Sequence, residues 1–208
     1  MTGPIALPVQ RSPRQTLHHV WAPKLRRIVM LTGQDQLHLW TMLEAHPGVS
    51  QYCERPAGHL GTETTPTADF WVMREGIQTW LRLQDAQAKD SVVTTVGPSS
   101  ESVELISRDE LRRHRVWIDN WLSLLPYLTS TDVADRSLQA HVLEAAGHEA
   151  TFDEIERRFL RADAVVTRTA IIAALHKGLL ISEDLQSRPW DRNTRVRRTW
   201  PGERHAPK

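Results

Sequence analysis

The stretch from Ala68 to Gln84 restricts the fold more than any other part of the chain. Ala68-Asp69-Phe70-Trp71-Val72-Met73 is an aromatic and β-branched run, Glu75-Gly76 offers a turn, and Ile77 to Gln84 alternates apolar and polar residues over most of its length. Strand side chains alternate between faces and a two-residue turn joins antiparallel partners, so a hairpin is predicted here. Before it, Leu37, Trp40 and Leu43 recur at helical spacing between Gly33 and Ala45, with Leu39 beside them, and Pro47-Gly48 stops the run. Val49 to Pro56 leads from that helix into a Gly/Thr-rich loop. A second polar loop from Asp85 to Glu101 precedes a short strand at Val103-Glu104-Leu105-Ile106 and a long helix from about Arg108 to Leu125, limited by Pro126. The N-terminal half reads as a small α/β domain.

Beyond Thr129-Ser130-Thr131 the pattern changes to three short helices and a hairpin. The first spans about Val133 to Ala146 and stops at Gly147; the second opens at Thr151, whose spacing to Glu154 is that of a capping box, and runs to Phe159. The third runs from about Ala164 to Lys177, ends at Gly178, and is followed by Leu179-Leu180-Ile181 as a strand. Three helices and a β-wing predict a winged helix-turn-helix with the third helix as candidate reader of a DNA groove. On that helix Val166, Ala170, Ile171, Ala174 and Leu175 are core-like, which leaves Arg168, His176 and Lys177 to meet phosphate or base. Winged helices serve both DNA contact and protein docking, and both uses stay open.

The ends differ from this body. Residues 1–28 hold four prolines and scattered basic residues without a period, and read as a basic flexible arm that orders on a partner. From Arg188 to Lys208 seven Lys and Arg face two acidic residues, a balance of +5 in a chain whose formal net charge is +1. Such a tail, residues 187–208, suits a phosphate backbone through Arg195, Arg197 and Arg198, or is a solvated, partly disordered terminus. Its Trp190 and Trp200, flanked by arginines, suit docking in a partner's pocket, with base stacking as the competing use. Trp40, Trp71, Trp80, Trp117 and Trp121 fall in predicted core elements. At 208 residues with 40% hydrophobic and 25% charged residues the chain holds two small domains. No apolar run is long enough for a bilayer, no export signal stands at the N-terminus, and Cys53 is the one cysteine, so a cytoplasmic protein without membrane partners is expected.

Leu31 to Trp40 (LTGQDQLHLW), Leu43 to Val49 (LEAHPGV), Tyr52-Cys53-Glu54-Arg55-Pro56 and Ala68-Asp69-Phe70 resemble, in that order, the TnsA-type endonuclease subunits of heteromeric transposases. In that family a helix carrying a glutamate leads to D-P-x-V and Y-x-E-Q-P segments, then P-D-F on one strand and E-V-K on the next. The stretch from Val103 to Leu128, with Asn120, and the C-terminal winged helix also resemble the family, so the likeness covers roughly residues 29–185. It implies an α/β fold with a restriction-endonuclease-like domain over 29–129, followed by an all-α winged-helix domain over 130–186.

The family's chemistry is Mg²⁺-assisted phosphodiester hydrolysis, in which carboxylates hold the metal and a lysine helps align or deprotonate the attacking water. By the resemblance its helix glutamate falls at Gln36, its strand aspartate at Asp69 and its E-x-K at Arg82-Leu83-Gln84, and of these only Asp69 keeps its type. Arg82 and Gln84 share one strand face, as ligand and lysine would. A fixed cation at a ligand position opposes a metal directly. The expectation is therefore a pseudo-nuclease without metal or other cofactor, acting as an assembly or DNA-binding factor in transposition beside a DDE-type transposase, an AAA+ ATPase regulator and transposon-end DNA. Two alternatives remain: a Mg²⁺-dependent endonuclease whose ligands moved to Glu44, Glu63, Glu75 or Asp85, and a stand-alone winged-helix regulator contacting DNA through Arg168 and Lys177. Histidine and cysteine spacings match no zinc motif, no phosphate-binding glycine loop occurs, and Cys53 reads as a packing residue.

Overall fold

A computed structural model describes residues 3–9, 15–57, 68–84, 103–133, 136–159 and 163–199. The chain is mixed α/β and divides into two compact units, Met1–Glu44 with Val49–Arg113, and Ala45–Gly48 with His114–Lys208.

The first unit opens with strands β1 (Leu17–Ala22) and β2 (Arg27–Thr32), an antiparallel pair in which Val20 faces Val29. Helix α1 (Gly33–Ala45) follows, with Leu39, Trp40 and Leu43 each 2% exposed. Strands β3 (Val49–Glu54), β4 (Phe70–Arg74), β5 (Ile77–Leu83) and β6 (Val103–Ile106) make a four-stranded sheet in chain order. The first three are an antiparallel meander and β6 joins β5 in parallel. The predicted hairpin is present as β4–β5. Glu75 and Gly76 both take positive φ, 50° and 82°, the left-handed pair that matches the twist of the flanking strands. Helix α2 (Arg108–Arg113) closes the unit.

The second unit contains α3 (Arg115–Leu124), a 3-10 segment (Leu125–Val133), α4 (Arg136–Ala146), β7 (Ala150–Thr151), α5 (Phe152–Arg158), α6 (Ala164–His176), β8 (Leu180–Ile181), α7 (Asp184–Ser187) and β9 (Arg195–Arg198). The expected capping box forms: Glu154 N donates to Thr151 Oγ1 at 3.1 Å and Thr151 N donates to Glu154 Oε2 at 2.8 Å. Gly178, with φ 70°, ends α6 as expected.

Four expectations are corrected. The arm is not free over its whole length: β1 lies within 1–28, and residues 3–9 run beside 55–57, with Leu7 N donating to Arg55 O and Ala57 N to Ile5 O, both at 2.9 Å. The long helix breaks at His114 (φ −96°, ψ 14°), because α2 buries only Leu111 whereas α3 buries Trp117, Ile118, Asn120, Trp121 and Leu124. The boundary between units accordingly falls at Arg113/His114 rather than 129/130. The C-terminal unit is not all-α: it carries an antiparallel sheet in the order β7-β9-β8. Its central strand comes from the supposed tail, where Thr194 and Val196 are at most 1% exposed.

Candidate functional site

Gln36 stands on the first turn of α1, and Asp69 immediately precedes β4. The two meet: Gln36 Nε2 donates to Asp69 Oδ1 at 2.8 Å. The other end of the Gln36 amide is taken up locally, its Oε1 accepting from Thr32 N at 2.8 Å and from Thr32 Oγ1 at 3.0 Å. Asp69 Oδ2 accepts from Leu83 N at 2.7 Å, so its carboxylate is fixed to the β5 backbone between Arg82 and Gln84. Main-chain bonds hold the same corner, with Asp69 N donating to Leu81 O and Arg55 N to Asp69 O. Arg82 is exposed, and the Gln84 amide N–H donates to Ile106 O.

The donor set does not suit a divalent cation. Each oxygen of the Asp69 carboxylate already receives an N–H, and Gln36 presents a donor toward it where a metal would need an anion. Among the described residues no group of three His, Cys, Asp or Glu gathers closely enough to hold a metal ion.

The carboxylates considered as displaced ligands lie elsewhere or outside the described residues, as Glu63 and Asp85 do. Glu75 sits in the β4–β5 turn, at the opposite end of the hairpin from Asp69, roughly 20 Å away at 3.3 Å of rise per residue. Glu44 is fully buried and accepts from Tyr52 Oη at 2.5 Å and from Lys24 N at 2.9 Å, while Trp40 Nε1 donates to Tyr52 Oη at 2.7 Å. Lys24 Nζ caps the end of α1 by donating to Leu43 O at 2.9 Å. Burial brings the Lys24 ammonium down to about 8 against the attraction of Glu44, and burial, with Glu44 beside it, raises the Tyr52 phenol well above its usual range. A second buried carboxylate, Glu54, accepts both guanidinium nitrogens of Arg27, at 2.6 and 2.5 Å. Neither network was legible from the sequence, since Lys24 and Arg27 lie in the supposed arm. Cys53 is 5% exposed and its thiol is pushed up to about 11 by burial and by Glu54, as suits a packing residue rather than a nucleophile.

In the second unit most candidate DNA contacts are engaged within the chain. Arg168 reaches from α6 to α5, donating to both carboxylate oxygens of Glu156 at 2.8 and 3.1 Å, and that bond holds its guanidinium pKa above the usual value. Its side chain is 16% exposed, and the pair ties α6 to α5 within the second unit. Eight of the thirteen α6 residues are buried, Thr167 and Thr169 among them, leaving little surface to enter a groove. Lys177 is exposed and donates to Gln139 at 3.2 Å. Arg195 pairs with Glu149 at 3.6 Å and Arg197 with Glu183 at 3.9 Å. Arg198 is exposed.

Trp190 docks into its own chain. Its indole N–H donates to Ser123 Oγ at 2.6 Å, and its rings meet Phe152 and Tyr127 at centroid separations of 5.8 and 6.4 Å. Trp200 lies outside the described residues. Asn120 is a further residue whose role the sequence did not reveal: Nδ2 donates to Leu185 O and Arg188 O, both at 2.8 Å, and Oδ1 accepts from Trp190 N at 2.9 Å. Its position on the inner face of an amphipathic helix was the available signal beside the family likeness.

No family model matches the chain, and no curated protein matches it. Among the described residues no helix is long and apolar enough to cross a membrane.

Proposed function

We propose that the chain is a TnsA-like pseudo-nuclease that serves as an assembly factor in DNA transposition. The observation that carries this reading is the meeting of Gln36, Asp69 and, through Leu83 N, the chain between Arg82 and Gln84 at the end of β5 on one corner of the first unit. These are the positions that correspond, by the resemblance, to the helix glutamate, strand aspartate and E-x-K of a restriction-endonuclease-like site. With the glutamate replaced by an amide, the E-x-K by Arg82-Leu83-Gln84, and Asp69 the one position of these that keeps its type, the corner lacks the paired carboxylates that a metal site of that kind needs. No step of metal-assisted hydrolysis follows from these residues.

The order of α4, β7, α5, α6, β8 and β9, with the sheet order β7-β9-β8, supports reading the second unit as a winged helix. With α6 buried and Arg168 paired, docking to a DDE-type transposase or an AAA+ regulator accounts for this unit better than base reading by its third helix. Transposon-end DNA is then met through Lys177, Arg198 and the partners. An element served by such a subunit leaves one strand uncut at each end and moves by a copying or cointegrate route, or with another nuclease.

The deciding experiment is a nicking assay on transposon-end duplex with Mg²⁺ or Mn²⁺, using this chain and the neighbouring transposase, alone and together, beside Asp69→Ala. Co-assembly on DNA with no cleavage attributable to this chain is expected. Nicking that disappears with Asp69→Ala would make it an endonuclease, and tight sequence-specific binding by the chain alone would make it a regulator.

A further inference from the structure

One face of the four-stranded sheet carries an apolar row that crosses all its strands. Cys53 on β3 faces Trp71 on β4, Trp71 faces Trp80 on β5, and Trp80 faces Val103 on β6. Cys53, Trp71 and Trp80 are 4–6% exposed and cluster with Ala68, Ala6, Met73 and Val103. Tyr52, on the opposite side of β3, is the residue tied to α1, so the helix does not account for the burial of this row. The N-terminal segment 3–9 lies against it, with Ala6 packed on the cluster and Gly3 beside the Trp71 ring.

Among the described residues, few hydrogen bonds hold that segment. Its sequence, GPIALPV, carries no charge, and its two prolines have no N–H to donate. Leu7 N donates to Arg55 O, Ile5 O accepts from Ala57 N, and Leu7 O accepts from Arg55 Nε at 3.2 Å. Ala6 pairs with Pro56 and packs on the tryptophan cluster, while Ile5 remains 80% exposed. Gly3 lies so near the Trp71 ring that a Cβ there would come within 3.0 Å of it. Among the described residues three hydrogen bonds hold this segment, and none of its side chains is fully buried, Pro4, Ala6, Leu7 and Val9 being half-buried, the profile of a segment that opens locally well before the sheet does.

We propose that the Cys53–Trp71–Trp80 face is a docking surface for an extended, uncharged apolar peptide of a partner protein, which residues 3–9 occupy as an exchangeable strap. The seated segment defines the chemistry that fits. The incoming peptide runs antiparallel to residues 55–57, exchanges main-chain hydrogen bonds with Arg55 and Ala57, and sets small residues over the indoles. Recognition of this kind takes affinity from the backbone and selectivity from what the side-chain positions admit. It is independent of the nuclease resemblance.

Cys53 reports on the strap, because it is the one cysteine and lies in the covered row. In the full-length chain, Ala6→Asp or Gly3→Val should raise the rate of Cys53 labelling by a maleimide by about tenfold or more, the local opening having become easier. Adding the peptide acetyl-GPIALPV-amide should restore protection in either variant. A faster label that the peptide does not suppress overturns the docking surface. Protection that returns with protein concentration instead of peptide assigns the face to a second copy of the chain and overturns the partner reading. Hydrogen exchange on the unsubstituted protein guards against a variant that fails to fold: the Leu7 and Ala57 amides should exchange on the order of 100-fold faster than the β3–β4 amides. Equal protection would make residues 3–9 a fixed part of the sheet and end the proposal.

Discussion

Gln36 and Asp69 hold each other through a single 2.8 Å hydrogen bond, and the remaining oxygens of both are already supplied with N–H or O–H donors. The amide therefore presents an N–H donor to Asp69 where a second carboxylate would present an acceptor. The oxygens of both side chains are thus taken up by neutral donors within the chain.

Gln36→Glu tests this arrangement. A second carboxylate at that spacing must repel Asp69 or share a proton with it, which raises the pKa of one of the two. The variant should lose about 1–3 kcal/mol at neutral pH, recover part of it on acidification, and gain thermal stability from millimolar Mn²⁺ or Ca²⁺. The unsubstituted chain should show no such cation response. Melting curves across pH with and without the cation are sufficient, and identical responses of the two proteins would refute the account.

Arg168 and Glu156 make the clearest case of a sequence candidate that the fold uses internally. With side chains only 16% and 9% exposed, removing either partner strands a charge and should cost about 3 kcal/mol. The double variant Arg168→Met with Glu156→Leu should recover much of that loss, a non-additivity that urea titration of the four proteins measures. Any DNA affinity of the unsubstituted chain, together with its salt dependence, should survive in the double variant. Loss of DNA binding in a folded double variant would return Arg168 to the interface.

What could be read in advance follows from how local each signal is. The β4–β5 hairpin, α1, the capping box at Thr151 and the end of α6 at Gly178 are written in patterns a few residues long, and the structure has them. The β7-β9-β8 sheet was missed because its central strand, Arg195–Arg198, looks like a basic tail until Val196 finds a core some forty residues earlier in the chain. The roles of Lys24, Arg27 and Asn120 depend on partners 19 to 70 residues distant. No local pattern announces such pairings. The meeting of Gln36 with Asp69, 33 residues apart, was anticipated only through the likeness to a family, and not from periodicity.

Lys24 gives the chain a stability profile on the alkaline side. Its pKa in the fold, about 8, lies below the value of 10.5 it has when exposed, so between those values the unfolded chain carries a proton that the folded one lacks. Stability should therefore rise with pH from about 8 toward 10, with a slope of up to about 1.4 kcal/mol per pH unit. Above pH 10 the raised pKa of Tyr52 works against it, since the unfolded tyrosine ionises first. Denaturant titrations at several pH values give the slope directly. In Lys24→Met the rise should vanish, and a rise that persists in that variant would assign the effect to another group.

Asn120 joins α3 to α7 and to the segment that carries Trp190, using both donors and the acceptor of one amide. Asn120→Asp keeps the shape but removes both donors and sets a carboxylate against the carbonyls of Leu185 and Arg188, whereas Asn120→Ala leaves those carbonyls unpaired without added repulsion. Aspartate should thus be the worse replacement despite being nearly isosteric, with losses of about 2–4 kcal/mol against somewhat less for alanine. Lowering the pH toward 4 should narrow the gap as the new carboxyl gains a proton and with it a donor. If alanine proves the more damaging, the contribution of Asn120 lies in packing volume and not in the three hydrogen bonds.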